Sequence, residues 1–234
     1  MVQRTNSRCS FQAHENIHAH SILNQLKMEA IQFTWGTNGV GYKVGTGPFA
    51  LIGYHGLNGK WNDAASAGSD VMNGALDLTK FTCFFQQLPA GVTDWGKNII
   101  SAGFNVVQKC GFTSARLCGD SLGGMAVFRA MAYNDDPTIT NWPKLDIISA
   151  GIVCGKDDRH RYASYAKTKI KMWHGTADPI MSYSAIVNAA SYIKLVGGDA
   201  QLVSLQGVGH NAWDYGFNPQ YPGNFFEWLN QITQ

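Results

Sequence analysis

From about residue 29 onward, apolar positions fall into short runs separated by longer mixed stretches. Ala30-Ile31-Gln32-Phe33-Thr34-Trp35 alternates as a half-exposed strand does, Gly36-Thr37-Asn38-Gly39 supplies a turn, and Val40-Gly41-Tyr42-Lys43-Val44 is predicted to return antiparallel. Phe49–Tyr54 and Phe81–Gln86 are continuous apolar runs, the pattern of strands covered on both faces. Ser114–Cys118, Leu145–Cys154, Lys169–His174 and Ala200–Leu205 predict four more strands. Between them lie helix-compatible stretches: the small-residue-rich Ala64–Leu78, then Asp94–Cys110, Met125–Ala132, and about 182–196 and 223–232. Asp94–Cys110 places Ile99, Ile100, Phe104, Val106 and Val107 on one stripe, with Gly103 weakening its middle. Strands alternating with helices predict an α/β fold, a three-layer α/β/α sandwich around a mostly parallel central sheet. With no linker or repeat after residue 28, residues 28–234 are expected to form one domain. In such sheets ligands bind beyond the carboxyl ends of the strands.

Residues 1–27 differ: they are polar, carry Arg4, Arg8 and three histidines, and show no sustained apolar period. They are expected to form a flexible arm, with Met28 as a natural start. A secretory leader needs a continuous apolar core of about seven residues, which the arm does not show. It does contain His14-Glu15-Asn16-Ile17-His18, an H-E-x-x-H pattern that on a helix sets two zinc ligands beside a general base. A zinc site also needs a third ligand and a supporting sheet, and no helix signal surrounds the motif. No metal is expected.

The stretch that carries the strongest chemical signal is Gly119-Asp120-Ser121-Leu122-Gly123, a G-x-S-x-G between a predicted strand and a predicted helix. A serine on that sharp turn presents its hydroxyl above the sheet, and small neighbours permit the turn. Serine is a weak nucleophile without a base, and the base needs an orienting group. Asp178 follows the strand 169–174, in His174-Gly175-Thr176-Ala177-Asp178-Pro179-Ile180. His210 follows the last strand, in Gln206-Gly207-Val208-Gly209-His210-Asn211-Ala212-Trp213. Ser121, Asp178 and His210 are therefore the candidate nucleophile, orienting acid and base. An anion formed on the attacked carbonyl needs hydrogen-bond donors. The N–H groups of Leu122, next after the serine, and of Leu57, in the loop after the third strand, are expected to supply them. His55 is read as a loop-shaping residue and His174 as a structural hydrogen-bonder.

The set Tyr54-His55-Gly56, Gly119-Asp120-Ser121-Leu122-Gly123-Gly124, His174–Ile180 and Gly209–Trp213 resembles the α/β-hydrolase superfamily. Within it, residues 29–234 look like the small lidless serine esterases of the phospholipase/carboxylesterase and dienelactone-hydrolase-like groups. Dienelactone hydrolases use a cysteine where this chain has Ser121, so lactone specificity does not carry over. No cap domain is visible between the strands at 145–154 and 169–174. The resemblance implies a cofactor-free hydrolase (EC 3.1.1.-) that forms an acyl-enzyme on Ser121 from short-chain or aryl carboxylic esters. Trp61, Asn62, Trp95, Met125, Trp213 and Phe217 fall in or near loops expected at the catalytic edge and are candidates for the substrate pocket. Alternatives are an acetyl or feruloyl esterase acting on polysaccharide, suggested by Trp213–Pro219, a serine peptidase of the same fold, and a zinc hydrolase using His14 and His18.

Composition narrows the partners. The 234 residues are 45% hydrophobic and 15% charged with a formal charge of +2, a globular balance with no basic run to favour nucleic acid or anionic membrane. No apolar stretch approaches the ~20 residues of a membrane span. The expected partner is a small ester, bound by a monomer or homodimer in the cytoplasm. Of five cysteines, Cys83, Cys118 and Cys154 lie in or beside predicted buried strands and are read as small hydrophobes.

Overall fold

The computed structural model describes residues 31–35, 39–57, 76–88 and 91–233. The arm 1–27 with its His14 and His18, Met28, Trp61, Asn62 and most of the helix expected over 64–78 lie outside the described residues. The eight expected strands are β1 Ile31–Trp35, β2 Gly39–Val44, β3 Phe49–Tyr54, β4 Phe81–Gln87, β5 Ser114–Asp120, β6 Asp146–Val153, β7 Lys169–Gly175 and β8 Ala200–Leu205. The described helices are α1 Lys97–Lys109, α2 Leu122–Asp135, α3 Tyr162–Tyr165, α4 Tyr183–Leu195, α5 Trp213–Gly216 and α6 Phe225–Gln231.

The strands form one sheet in the order β1-β2-β4-β3-β5-β6-β7-β8. β2 runs antiparallel to both of its neighbours, and every other adjacent pair is parallel. From β3 the chain steps outward to β4 and then crosses back to β5, so the order reverses between β3 and β5. That is where a parallel sheet opens a crevice beyond its carboxyl edge. Tyr54 at the end of β3 pairs with Gly119 near the end of β5, which puts the His55-Gly56-Leu57 loop beside Ser121.

Burial follows the apolar pattern. β3, β4 and β5 are buried on both faces along almost their whole length, whereas the edge strand β8 exposes Gln201 and Ser204. One face of the sheet packs against α1, α2 and α4 through residues such as Ile100, Phe104, Val127 and Ile186. The other is covered by α6 through Phe225, Phe226, Trp228 and Leu229 against Leu51, Phe81 and Trp173. Gly103 is more than a weak point in α1. A Cβ there would stand 1.8 Å from the amide of Gln86, a fully buried β4 side chain whose Nε2–H donates to the Ile99 carbonyl at 3.3 Å. The helix gives up propensity to let that side chain pass.

Arg129 on α2, only 7% exposed, ties the helix layer to two loops. Its Nε and Nη2 donate to Asp158 Oδ2 at 2.9 and 2.6 Å, and its Nη1 donates to Asp94 and to the Trp95 carbonyl. The segment 154–168 between β6 and β7 is thereby drawn against α2, and its one helix is the four-residue α3. Removing one partner of a buried pair leaves charge uncompensated. Arg129→Ala is expected to lower the unfolding free energy in urea by about 2–4 kcal/mol, because Asp158 and Asp94 keep some access to water.

Candidate active site

β5 ends at Asp120 and α2 begins at Leu122, which leaves Ser121 as the single residue of the turn. Its backbone sits at φ 50°, ψ −115°, in the left-handed region that a residue with a Cβ avoids. Its N–H donates to the Val153 carbonyl of β6 at 2.9 Å, and its carbonyl accepts from Met125 N–H at 3.1 Å. Two glycines make the turn possible by proximity. A Cβ on Gly119 would stand 2.4 Å from the Gly123 carbonyl oxygen, and one on Gly123 would stand 2.0 Å from the Tyr54 carbonyl oxygen. β3, β5 and the start of α2 therefore touch through backbone alone.

The residues expected to act with Ser121 converge on it. Ser121 Oγ is 2.8 Å from His210 Nε2, and His210 Nδ1 is 2.8 Å from Asp178 Oδ2. Asp178 Oδ1 accepts from the backbone N–H groups of Ile180 and Met181 at 2.8 and 2.9 Å. Burial would push this carboxyl's pKa up, but the Met181 N–H, His210 and the Ile180 N–H outweigh it and hold the group below the usual carboxylate range. With Oδ2 as acceptor, Nδ1 of His210 is the donor, and Nε2 is left to receive the hydroxyl's proton. Ser121 is only 8% exposed.

Leu122 opens the 14-residue α2, and its N–H, in the first turn, has no intrahelical acceptor. Leu57 follows Gly56 at the end of the β3 loop and is 53% exposed. Asp120, which the sequence showed only as the variable letter of the motif, holds that loop: its Oδ1 accepts the Gly56 N–H at 3.1 Å. A carboxylate immediately before the serine was the available signal, but its meaning depends on β3 lying next to β5. His55 braces the same loop from behind. Its Nε2 accepts from Leu88 N–H at 3.1 Å, so Nδ1 carries the proton and donates to the Gly56 carbonyl at 2.6 Å. Burial lowers its pKa, partly countered by that bond to Gly56.

The expected pocket residues divide. Met125 is half-buried one turn into α2, and Trp213 stands edge-on to the His210 ring with centroids 5.6 Å apart. Trp95 and Phe217 depart from expectation and belong to the cores. Trp95 is fully buried, packed on Tyr54 and His55, with its indole N–H donating to the His55 carbonyl at 3.0 Å. Phe217 is buried against Phe225 on the α6 face. A hydrophobic ring in a loop gains more from such burial than from exposure at a rim. Cys118 and Cys154 are buried, and burial raises both thiol pKa values, which keeps them protonated and unreactive. Among the described residues no group of His, Cys, Asp and Glu side chains could hold a metal ion, and no helix is long and apolar enough to cross a membrane.

The strained serine and the buried neutral histidines set two expectations. Ser121→Gly should raise the unfolding free energy by about 1 kcal/mol, since glycine adopts this backbone without the Cβ clash; matched urea titrations of the two proteins measure it. His55 and His174 both have pKa values lowered by burial, so the unfolded chain binds protons that the folded chain refuses. Stability should therefore decline as pH falls through about 6.5, and again below about 4 as Asp178, depressed in the fold, is protonated. Urea midpoints measured from pH 8 to pH 3 test both declines.

No family model and no curated protein matches the chain. Solved structures do. A thermostable esterase is 12% identical, with a TM-score of 0.61 over 89% of this chain; this chain spans 60% of that one. A truncated carbohydrate esterase from gut microbiota is 15% identical at a TM-score of 0.59, covering 88% of this chain and 98% of its own. An alpha/beta hydrolase enzyme from the metagenome of lagoon sediments at Mar Chica, Morocco, is 18% identical at a TM-score of 0.55, covering 86% and 96%. At these identities the likeness is one of architecture, and it agrees with the strand order and the reversal between β3 and β5. The chain has the α/β-hydrolase fold.

Proposed function

We propose that the chain is a serine hydrolase acting on carboxylic esters with small acyl groups. The observation that carries this reading is the unbroken relay from Ser121 Oγ through His210 to Asp178, with both links at 2.8 Å and the serine held in strained backbone above the sheet. In the proposed reaction Ser121 Oγ attacks the ester carbonyl while His210 Nε2 takes its proton. The N–H groups of Leu122 and Leu57 stabilise the negative oxygen of the tetrahedral intermediate. His210 returns the proton to the departing alcohol. Water then repeats the sequence on the acyl-enzyme and frees the acid. Asp178 keeps its charge throughout and favours the cationic form of His210 that each attack creates. No step calls for a cofactor.

Two features support a small acyl group. The segment 154–168 is pinned to α2 through Arg129 and Asp158, and its one helix, of four residues, is too short for an apolar lid. Trp213 stands beside the relay, edge-on to the His210 ring with centroids 5.6 Å apart. One structural neighbour, the carbohydrate esterase from gut microbiota, favours a second reading in which the alcohol is a sugar hydroxyl.

Ser121→Ala should lower kcat by about 10⁴–10⁶-fold toward p-nitrophenyl acetate with folding unchanged, and retained turnover would overturn the mechanism. Across p-nitrophenyl esters from acetyl to decanoyl, kcat/KM is expected to fall beyond roughly six to eight carbons, where the chain outgrows a small pocket. Faster release of acetate from acetylated xylan oligosaccharides than from p-nitrophenyl acetate would select the sugar-ester reading.

A further inference from the structure

Asp178 has two histidines against one carboxylate oxygen, and only one of them reaches Ser121. The other is His174, the penultimate residue of β7, fully buried with its Nε2 3.4 Å from Asp178 Oδ2 and 2.8 Å from the Met181 carbonyl oxygen. A carbonyl oxygen has no proton to give, so Nε2 carries the hydrogen and its tautomer is fixed. Nδ1 is then bare, and although buried it has no hydrogen-bond partner among the described residues. Adding a proton there would create a buried N–H with nothing to accept it, so the ring stays neutral. Meanwhile the Met181 N–H donates to Asp178 Oδ1 at 2.9 Å. The imidazole, the Met181 carbonyl, the Met181 N–H and the carboxylate thus close a small ring of contacts around the acid.

We infer that His174 is a positioning residue: its Nε2–H, directed at the Met181 carbonyl and lying beside Asp178 Oδ2, closes the 178–181 loop on the carboxylate and shares the oxygen that orients His210. The inference rests on the proposed esterase reading. The titratable groups facing the ring are Asp178 and His210, together with Tyr183 of α4, whose ring lies 6.1 Å away and whose hydroxyl is within 2.6 Å of Ser204 Oγ of β8. Without the His174 N–H dipole lying 3.4 Å from it, Oδ2 would interact more strongly with its donor His210, and the cationic form of His210 would gain. The loop would also lose its tie to β7 and with it the fixed direction of the carboxylate.

Two substitutions of similar polarity separate this role from a general need for a polar side chain. Glutamine places an amide N–H at the reach of Nε2; asparagine places one at the reach of Nδ1. His174→Gln is expected to keep kcat within about threefold of the parent, whereas His174→Asn loses about 10–100-fold in kcat with KM unchanged within about twofold. The acid limb of kcat/KM should move up by about 0.5 pH unit in His174→Asn and stay in place in His174→Gln. Equal kcat in the two variants, or an unmoved acid limb in both, overturns the assignment. If His174→Asn does not fold by circular dichroism, His174→Met, which has no donor, takes its place. A readout independent of turnover is the downfield proton resonance of His210 Nδ1–H, expected to shift in His174→Asn and not in His174→Gln. Should the parent hydrolyse no ester, the functional reading fails by itself; the resonance then decides the role of His174, and identical spectra in all three proteins reject it.

Discussion

Everything at the carboxyl edge of the sheet depends on one residue held in backbone that its side chain disfavours. Ser121 at φ 50° costs on the order of 1–3 kcal/mol locally, and the turn persists because its surroundings admit no alternative. Its N–H is committed to Val153 of β6, and its flanking glycines lie against each other and against the Tyr54 carbonyl of β3. Three neighbouring strands thus converge on a single peptide unit. The same close approach that strains Ser121 sets His55-Gly56-Leu57 beside it, so one backbone contact serves both the proposed nucleophile and the proposed anion donors.

Around this turn, charge is concentrated on a few atoms and excluded from others. Asp178 is ringed by four donors or near-donors, two backbone and two imidazole, and stays ionised. Asp120 is bound to the Gly56 N–H of the loop after β3. Farther back, Arg129 neutralises Asp158 and Asp94 where the two loops meet α2. The loops around the site are therefore held by four carboxylates, Asp178, Asp120, Asp158 and Asp94, each of which accepts protein donors. That arrangement fixes loops without requiring them to be long or apolar.

The strands were legible because parallel strands covered on both faces read as unbroken apolar runs, and β3, β4 and β5 are of that kind. The relay was legible because each member follows a strand end and small residues mark its turn. What escaped was everything decided by direction or by distant partners. Trp95 and Phe217 sit in segments that adjoin the cleft, but their rings turn inward, and spacing along a loop carries no sign of that turn. Arg129 reads as an ordinary charge on α2, since Asp94 and Asp158 lie 35 and 29 residues away. Gly103 reads as a helix defect until Gln86 of β4 is seen to occupy the space.

The three described histidines near the relay show why only one of them is fit to move protons. His55 and His174 hold opposite tautomers, each set by a fixed backbone partner: a Leu88 N–H makes Nε2 of His55 an acceptor, and the Met181 carbonyl makes Nε2 of His174 a donor. Protonating His55 would set a new N–H against the Leu88 N–H, and protonating His174 would leave Nδ1–H without an acceptor. Burial therefore keeps both neutral. His210 differs in its partners rather than in its position along the chain. One nitrogen faces a carboxylate and the other a hydroxyl, which can donate or accept. A proton passed from Ser121 to Nε2 turns that bond around without breaking it, and the resulting positive charge lies 2.8 Å from the Asp178 carboxylate. The capacity for base catalysis is thus a property of which atoms each imidazole meets. Among the three, that condition holds at His210 alone.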